Sequence, residues 1–172
     1  MTVYVALLRA VNVGGTGKLS MADLRRIAEG LGFDSPRTYI ASGNLLFRSN
    51  DSETKVQGKL EAALTTHLGK SATVVVRTAA EMAVVVAANP FKDAPGRRVL
   101  ATFLSAKPPK NAIEEARFVD GERLALGKRE IYVDYCGTML GRAKLKIPAA
   151  AAGTARNMNT VAKLAELAKE MA

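Results

Sequence analysis

The chain has 172 residues, of which 48% are hydrophobic and 24% are charged, and its 25 Lys and Arg residues against 16 Asp and Glu residues leave a formal net charge of +9. This composition is typical of an ordinary globular protein and excludes a disordered, collagen-like or coiled-coil chain. The length suits one domain or two small halves that share a core.

Cysteine and histidine are almost absent, since Cys136 and His67 are the only residues of their types. A single cysteine excludes an intramolecular disulfide and a zinc site built on paired thiolates. We therefore predict no metal site and no cofactor. The sequence has no window of about 18 uncharged apolar residues and no secretory signal, so we expect a cytoplasmic protein without a membrane partner.

The pattern of apolar residues in the first half predicts the order βαββαβ. The predicted elements are a strand at 2–8, a helix from Ser20 to a stop at Gly32, strands at 38–41 and 45–48, a helix at 52–68 and a strand at 73–77. Ser20 with Asp23 resembles a capping box, and glycine commonly ends a helix. Ser42-Gly43-Asn44 permits a tight hairpin because Gly and Asn tolerate positive φ. This order is typical of the ferredoxin-like fold, whose helices cover one face of the sheet.

The second half repeats the alternation of helix and strand. Its predicted elements are a helix opened by Thr78 and Glu81 and ended before Asn89-Pro90, a strand at 98–105, a helix at 111–118, a hairpin at 123–136 that turns at 127–129, and a helix at 160–172. Residues 148–153 fit either a loop or a short helix. We expect an α+β protein with a ferredoxin-like half at 1–78 and a second, similar half at 79–172 packed against it. The halves lack a Pro/Gly/Ser linker, which favours one compact body.

A glycine-rich turn lies between the first strand and the first helix. It contains Asn12, Gly14, Gly15 and Lys18, and backbone N–H groups in such turns can bind phosphate. The spacing is neither that of a P-loop nor that of a dinucleotide-binding fingerprint. A plain connecting turn with a solvated Lys18 is the alternative interpretation.

A second polar motif lies at 154–160 and contains Arg156, Asn157 and Asn159 beside a predicted helix start. Helix N-termini favour anions, and Asn is equally an ordinary N-cap residue. Between Gly137 and Lys163 the chain has five basic residues and no acidic one, which indicates an anionic partner or simply a solvated basic face.

The sequence does not predict a catalytic constellation. Cys136 and His67 lie in opposite halves, and Ser42 lacks the preceding glycine of a nucleophile elbow. An RNA-recognition fold has the same βαββαβ order, but the clustered aromatic residues of its third strand are missing here. We therefore expect Tyr4 and Phe47 to be core residues.

Several motifs together resemble the bacterial family of domains of unknown function numbered 1697 (DUF1697). They are Leu8-Arg9-Ala10-Val11-Asn12-Val13-Gly14-Gly15, Thr38-Tyr-Ile-Ala-Ser42-Gly43-Asn44-Leu-Leu-Phe47, Asn89-Pro90-Phe91, Phe103-Leu104-Ser105 and Thr154-Ala-Arg156-Asn157-Met158-Asn159-Thr160. The resemblance spans essentially the whole chain and implies the α+β, ferredoxin-like architecture, while it implies no activity. Met158 stands where the family usually has tryptophan, and Ala10-Val11 stand where it usually has Gly-Ile.

The first hypothesis is a binding protein for an anionic small molecule or a nucleic acid. Its predicted site residues are Arg9, Asn12, Gly14, Gly15, Lys18, Ser42, Gly43, Asn44, Arg156, Asn157 and Asn159. The alternatives are an oligomeric scaffold without a ligand and an enzyme of unknown reaction that uses Arg156 as an anion clamp with Asp134 or Asn44. The oligomeric state stays open.

Overall fold

The computed structural model describes residues 1–12, 18–137 and 142–172. Within them the elements are β1 (Thr2–Leu8), α1 (Met21–Gly30), β2 (Asp34–Thr38), β3 (Asn44–Ser49), α2 (Glu53–Leu68), β4 (Val74–Thr78), α3 (Ala79–Ala87), β5 (Val99–Phe103), β6 (Arg123–Leu126), β7 (Glu130–Asp134), β8 (Thr154–Asn157) and α4 (Met158–Met171). No helix among the described residues is long and apolar enough to cross a membrane.

The first sheet has the strand order β2-β3-β1-β4, and each neighbouring pair is antiparallel. The central strand β1 lies between β3 and the edge strand β4, and helices α1 and α2 form the connections from β1 to β2 and from β3 to β4, which is the ferredoxin-like arrangement. One face carries Tyr4, Leu45 and Phe47, which pack with buried residues of α1 and α2 such as Leu24 and Leu60. Side chains of the opposite face are buried as well, as with Val5, Leu7 and Leu46. The sequence pattern correctly predicted the βαββαβ order of this half.

Both helices of the first sheet begin and end where capping chemistry requires. The Ser20 hydroxyl accepts the Asp23 N–H at the start of α1, and the Ser52 hydroxyl accepts the Lys55 N–H at the start of α2. At the end of α1 the Phe33 N–H donates to the Ala28 carbonyl in a glycine-dependent Schellman motif, with Gly32 at φ 80°. The positions of these helices follow from local sequence.

The second strand lies earlier in the chain than predicted. Residues 38–41 were expected to form it, whereas the strand is Asp34–Thr38 and Ile40 lies in the loop that follows at φ 51°. The segment Asp34–Thr38 is polar and contains Pro36, features that suit an edge strand because an edge leaves some N–H groups unpaired. The ladder to β3 also shifts register between Asp34 and Arg37. The position of β2 thus depends on its pairing with β3 and not on the apolar content of its own residues.

The second sheet has the order β6-β7-β5-β8, again fully antiparallel, and so repeats the strand order of the first. The predicted α+β class with two similar halves is therefore confirmed. The predicted helix at 111–118 is wrong, because this segment forms turns with one i to i+4 hydrogen bond, from Glu115 N–H to the Asn111 carbonyl. A single helical turn fixes many dihedrals for few hydrogen bonds, and Arg117 instead pairs with Lys146 in an isolated β-bridge.

The C-terminal motif contains a strand that the sequence pattern did not predict. Residues Thr154–Asn157 form β8 beside β5, and α4 begins at Met158 rather than at Thr160. The stretch at 148–153, left open between loop and helix, begins with a short 3-10 helix at Pro148–Ala150. Four residues are too few for a strand to show a period of two, which is why this one escaped prediction.

The chain divides into two compact units. Unit 1 comprises Met1–Met82 with Leu164–Ala172, and unit 2 comprises Ala83–Lys163. The first sheet belongs to unit 1, and the second sheet belongs to unit 2.

Candidate functional site

In unit 1 the predicted polar residues gather at the end of β1. The Arg9 backbone N–H donates to the Thr73 carbonyl at 3.1 Å, which ties the end of β1 to the start of β4. The backbone then enters the left-handed region at Ala10 (φ 52°) and Asn12 (φ 56°). Non-glycine residues rarely adopt this conformation, and such strain often marks functional loops. The predicted residues Gly14 and Gly15 lie outside the described residues.

Asn12 joins two loops through its side-chain amide. Its Nδ2 donates to the carbonyls of Leu19 (2.8 Å) and Ala41 (2.9 Å), while its Oδ1 accepts the Leu19 N–H (2.8 Å). Both amide hydrogens are thus used inside the protein. Asn12 holds the loop after β1 against the loop before β3, and Lys18 lies exposed beside Leu19.

The Ser42-Gly43-Asn44 turn is held together in the same way. Asn44 is fully buried, and its Nδ2 donates to the Tyr39 carbonyl (2.8 Å) and to the Ser42 hydroxyl (3.1 Å). Gly43 has φ 90°, and a Cβ there would lie 2.6 Å from a methyl carbon of Val11. The turn therefore requires glycine, and Asn44 stabilises the turn from inside.

A small cleft opens beside these loops, with a volume of about 160 Å³. It is lined by Leu8, Arg9, Ala10, Val11, Leu64, Leu68, Lys70, Ser71, Ala72 and Thr73. Two cationic residues, Arg9 and Lys70, line it, and no carboxylate-bearing residue stands among its described lining residues. The lining of the cleft thus combines two cationic residues with apolar side chains, of which Leu64 and Leu68 belong to α2.

Lys70 is a site residue that sequence reasoning missed. It follows Gly69, which ends α2 at φ 71°, and it precedes β4. Because β1 and β4 are antiparallel neighbours, the end of β1 lies beside the start of β4, and Arg9 and Lys70 both line the cleft there. The helix stop followed by a lysine before a strand was the available signal.

In unit 2 the predicted Arg156 lies on β8 and is buried, with 8% of its surface exposed. Its guanidinium donates to the Thr154 hydroxyl at 3.0 Å and to the Ala155 carbonyl at 2.9 Å. Burial lowers the pKa of Arg156 to about 10 because the charged form loses solvation. These contacts hold the guanidinium along its own strand.

Asn157 and Asn159 surround the start of α4. The Asn157 side chain accepts the Thr160 N–H at 3.0 Å and so caps the helix. Asn159 is exposed, and its amide lies against Gly96, where a Cβ would overlap it. Asn157 therefore has the structural role that its residue type also suggested.

Arg77 is the counterpart of Arg156 in unit 1 and was not singled out from the sequence. It is the penultimate residue of β4, 1% exposed, and donates to the Val76 carbonyl at 3.1 Å. The next residue, Thr78, accepts the Glu81 N–H, and the Glu81 carboxylate accepts the Thr78 N–H, in a complete capping box. In both β4 and β8 the penultimate residue is thus a buried arginine, and the last residue of the strand caps the following helix.

Asp134 is buried in a network of opposite charges. Its carboxylate accepts from Arg98 at 2.9 Å and from Arg123 at 2.6 Å, and Arg123 also pairs with Asp93 at 3.0 Å. Burial by itself would raise the pKa of Asp134, but the Cys136 backbone N–H and the two arginines outweigh it and lower the pKa to about 2. The two arginines therefore hold this carboxylate in its ionised form.

The remaining candidates for chemistry are placed as follows. Cys136 belongs to unit 2, where its thiol lies 3.5 Å from Asp134, and His67 belongs to unit 1, where it lies 3.9 Å from Asp23. Tyr4 and Phe47 are core residues, as predicted, at 5% and 0% exposure. Within the described residues, no group of three or more His, Cys, Asp or Glu side chains is placed to hold a metal ion.

Comparisons with known proteins agree with the resemblance in the sequence motifs. The family described as "Protein of unknown function (DUF1697)" matches residues 1–132. Among solved structures, the conserved bacterial protein SP0830 from Streptococcus pneumoniae is similar, with 27% sequence identity and a TM-score of 0.79 over 97% of this chain and 98% of that one. A comparison with curated proteins finds no match.

Proposed function

We propose that this chain, which belongs to the DUF1697 family of unknown function, binds a phosphate-bearing anion in the cleft of unit 1. Arg9 and Lys70 supply the positive charge, and Ser71 and Thr73 supply polar atoms beside them. The observation that carries the proposal is the pairing of two cationic residues in one cleft whose described lining has no carboxylate. We expect the protein to meet this anion in the cytoplasm.

The size of the cleft limits what it holds. At about 160 Å³ it is smaller than the roughly 300–1,000 Å³ of pockets that enclose whole small molecules. A phosphate group fits this volume better than a complete nucleotide, so the remainder of the ligand would lie outside the cleft. Asn12 and Asn44 support the proposal indirectly, because their hydrogen bonds hold the loops next to Arg9.

Arg156, Asn157 and Asn159 remain a prediction as ligand residues, since the cleft described here lies wholly in unit 1. The scaffold alternative also remains. It predicts that no anion binds and that the polar motifs only hold turns and helix ends.

Isothermal titration calorimetry with inorganic phosphate and with AMP tests the proposal. Arg9→Gln and Lys70→Gln should each weaken binding by about 10- to 100-fold, because a charge-assisted hydrogen bond contributes about 1.5–3 kcal/mol. Arg26→Gln is the matched control, since Arg26 is exposed on α1, where it pairs with Asp23 and does not line the cleft. Equal binding by all four proteins, or no binding at all, would exclude the cleft as an anion site.

Ionic strength separates a formed site from a general basic surface. Binding to the surface of a protein with a net charge of +9 would fall steeply with salt, whereas binding in a cleft keeps much of its affinity. We therefore expect phosphate binding to persist at about 0.15 M salt, where the Debye length is about 8 Å.

A further inference from the structure

A second pair of cationic residues is held together in unit 2. Arg117 and Lys146 form an isolated antiparallel bridge, in which the Arg117 N–H donates to the Lys146 carbonyl at 2.8 Å and the Lys146 N–H donates to the Arg117 carbonyl at 2.9 Å. In such a pair the Cα atoms lie about 5.5 Å apart and the side chains point to the same side. The bridge thus holds two cationic residues directly opposite each other.

This placement has an electrostatic cost that the described residues do not offset. Like charges directly opposite across a bridge destabilise the pairing. Arg117 and Lys146 are both exposed, and neither forms an ion pair with any carboxylate in the described parts of the chain. An anion between the two side chains would remove the repulsion.

Arg117 and Lys146 both line a broadly open cavity of about 460 Å³. The other residues that line the cavity are apolar: Ile147, Pro148, Ala150 and Ala151. The small alanine side chains of the Pro148–Ala150 turn leave this space open, which assigns a role to the alanine-rich stretch at 148–153. The site therefore joins two cations to an apolar wall.

We propose that this cavity binds an amphiphilic anion, with a carboxylate or phosphate headgroup between Arg117 and Lys146 and a compact apolar body against Ile147 and Pro148. A purely inorganic anion would leave the apolar wall in contact with water, and an uncharged apolar molecule would leave the two cations unpaired. Burial of apolar surface and charge pairing favour the same class of ligand. This site is separate in its residues from the cleft of Arg9 and Lys70, and its proposal does not rest on the proposed function.

Octanoate is the probe, compared by titration calorimetry with acetate, inorganic phosphate and heptan-1-ol. Octanoate should bind at least tenfold more tightly than acetate, which has the headgroup alone, and than heptan-1-ol, which has the same heptyl chain without the charge. Octyl phosphate, tested in parallel, shows which of the two headgroups the site prefers. Equal affinity for octanoate and acetate would overturn the amphiphilic character of the site.

Variants locate the binding. Arg117→Gln and Lys146→Gln should each weaken octanoate binding at least tenfold, and Ala151→Leu should weaken it by filling the cavity. Lys107→Gln, which removes an exposed charge elsewhere in unit 2, should leave it unchanged. If octanoate binds Arg117→Gln and Lys146→Gln as it binds the unaltered protein, the site is not here.

Thermal unfolding without ligand provides an independent measurement. Because Lys146→Gln removes one of two opposed positive charges, its unfolding midpoint should be equal to or higher than that of the unaltered protein. A lower midpoint would show that Lys146 stabilises the bridge in the absence of an anion, and would overturn the proposal that the pair awaits one.

Discussion

The two sheets share one strand order but differ in what covers them. In the first, β2-β3-β1-β4, the connections after β1 and β3 contain the helices α1 and α2. In the second, β6-β7-β5-β8, the connection after β5 forms turns, and the described part of the connection after β7 ends in a short 3-10 helix. The same antiparallel order thus forms with and without helical crossovers, because strand pairing depends on the ladder and on apolar cover of any kind.

The difference in cover brings a difference in the stabilising interactions. Under the helices of unit 1 lies an apolar cluster that contains stacked aromatic rings. The ring centroids of Phe33 and Phe47 are 4.2 Å apart. Under the turns of unit 2 lies a cluster formed around Ile131 and Val133. At the end of the central strand β7, the buried carboxylate of Asp134 pairs with two arginines. Unit 1 should therefore respond most to loss of volume, and unit 2 should respond also to pH.

The largest effect is expected for Phe47→Ala. Phe47 is fully buried against Phe33 and Tyr4, so its truncation should cost about 3–5 kcal/mol of unfolding free energy through lost burial and the cavity that remains. Urea denaturation measures this value. Phe118→Ala is the control, since that ring is 64% exposed and its loss should change stability by less than about 0.5 kcal/mol. A similar cost for both variants would contradict the assignment of the core.

A medium effect, confined to acid, is expected for Asp134. Its folded-state pKa of about 2 lies below the ordinary value of 3.8, so its stabilisation is present above pH 3.8 and is lost as the pH falls through about 2. The loss should amount to about 2 kcal/mol. Urea denaturation at about pH 5 and about pH 2 should therefore show a larger fall for the unaltered protein than for Asp134→Asn. Parallel falls would mean that the arginines do not hold this carboxylate ionised.

The smallest effect is expected at the helix caps that follow the two buried arginines. Thr78→Ala and Asn157→Ala should each cost about 1 kcal/mol, because each removes the side-chain acceptor of one backbone N–H at a helix start, while the Thr78 N–H keeps its hydrogen bond to the Glu81 carboxylate. Thermal unfolding of each variant measures these costs. Thr78→Ser retains the hydroxyl and should keep most of the stability. If Asn157→Ala costs more than Thr78→Ala, Asn157 does more than cap α4.

Sequence patterns were sufficient where local chemistry decides structure. The predicted caps Ser20 and Thr78 and the predicted stop at Gly32 act within a few residues, and the structure confirms each of them. Patterns failed at 34–38 and 111–118, where pairing with a distant segment decides. Arg48 opposite Asp34 and Lys146 opposite Arg117 were not visible as partners along the chain.

The residues of the candidate site also fall into those that the sequence indicated and those that only the fold brought together. Arg9 was correctly placed at a strand end, whereas Asn12 and Asn44, which sequence offers as ligand donors, spend their amide hydrogens on neighbouring loops. Lys70 and the Arg117–Lys146 pair emerged only from the fold, since each cationic partner is distant in sequence from the other.

By itself the sequence determined the α+β class, the ferredoxin-like order of the first half, the family and most helix limits, because periodicity and capping are properties of short segments. The tertiary structure decided the edge strand β2, the strand β8, the burial of Arg77 and Arg156, and which cationic residues share a cleft. These features arise from contacts between residues far apart in the chain, and their free energy is gained only once the whole ladder and its cover have formed.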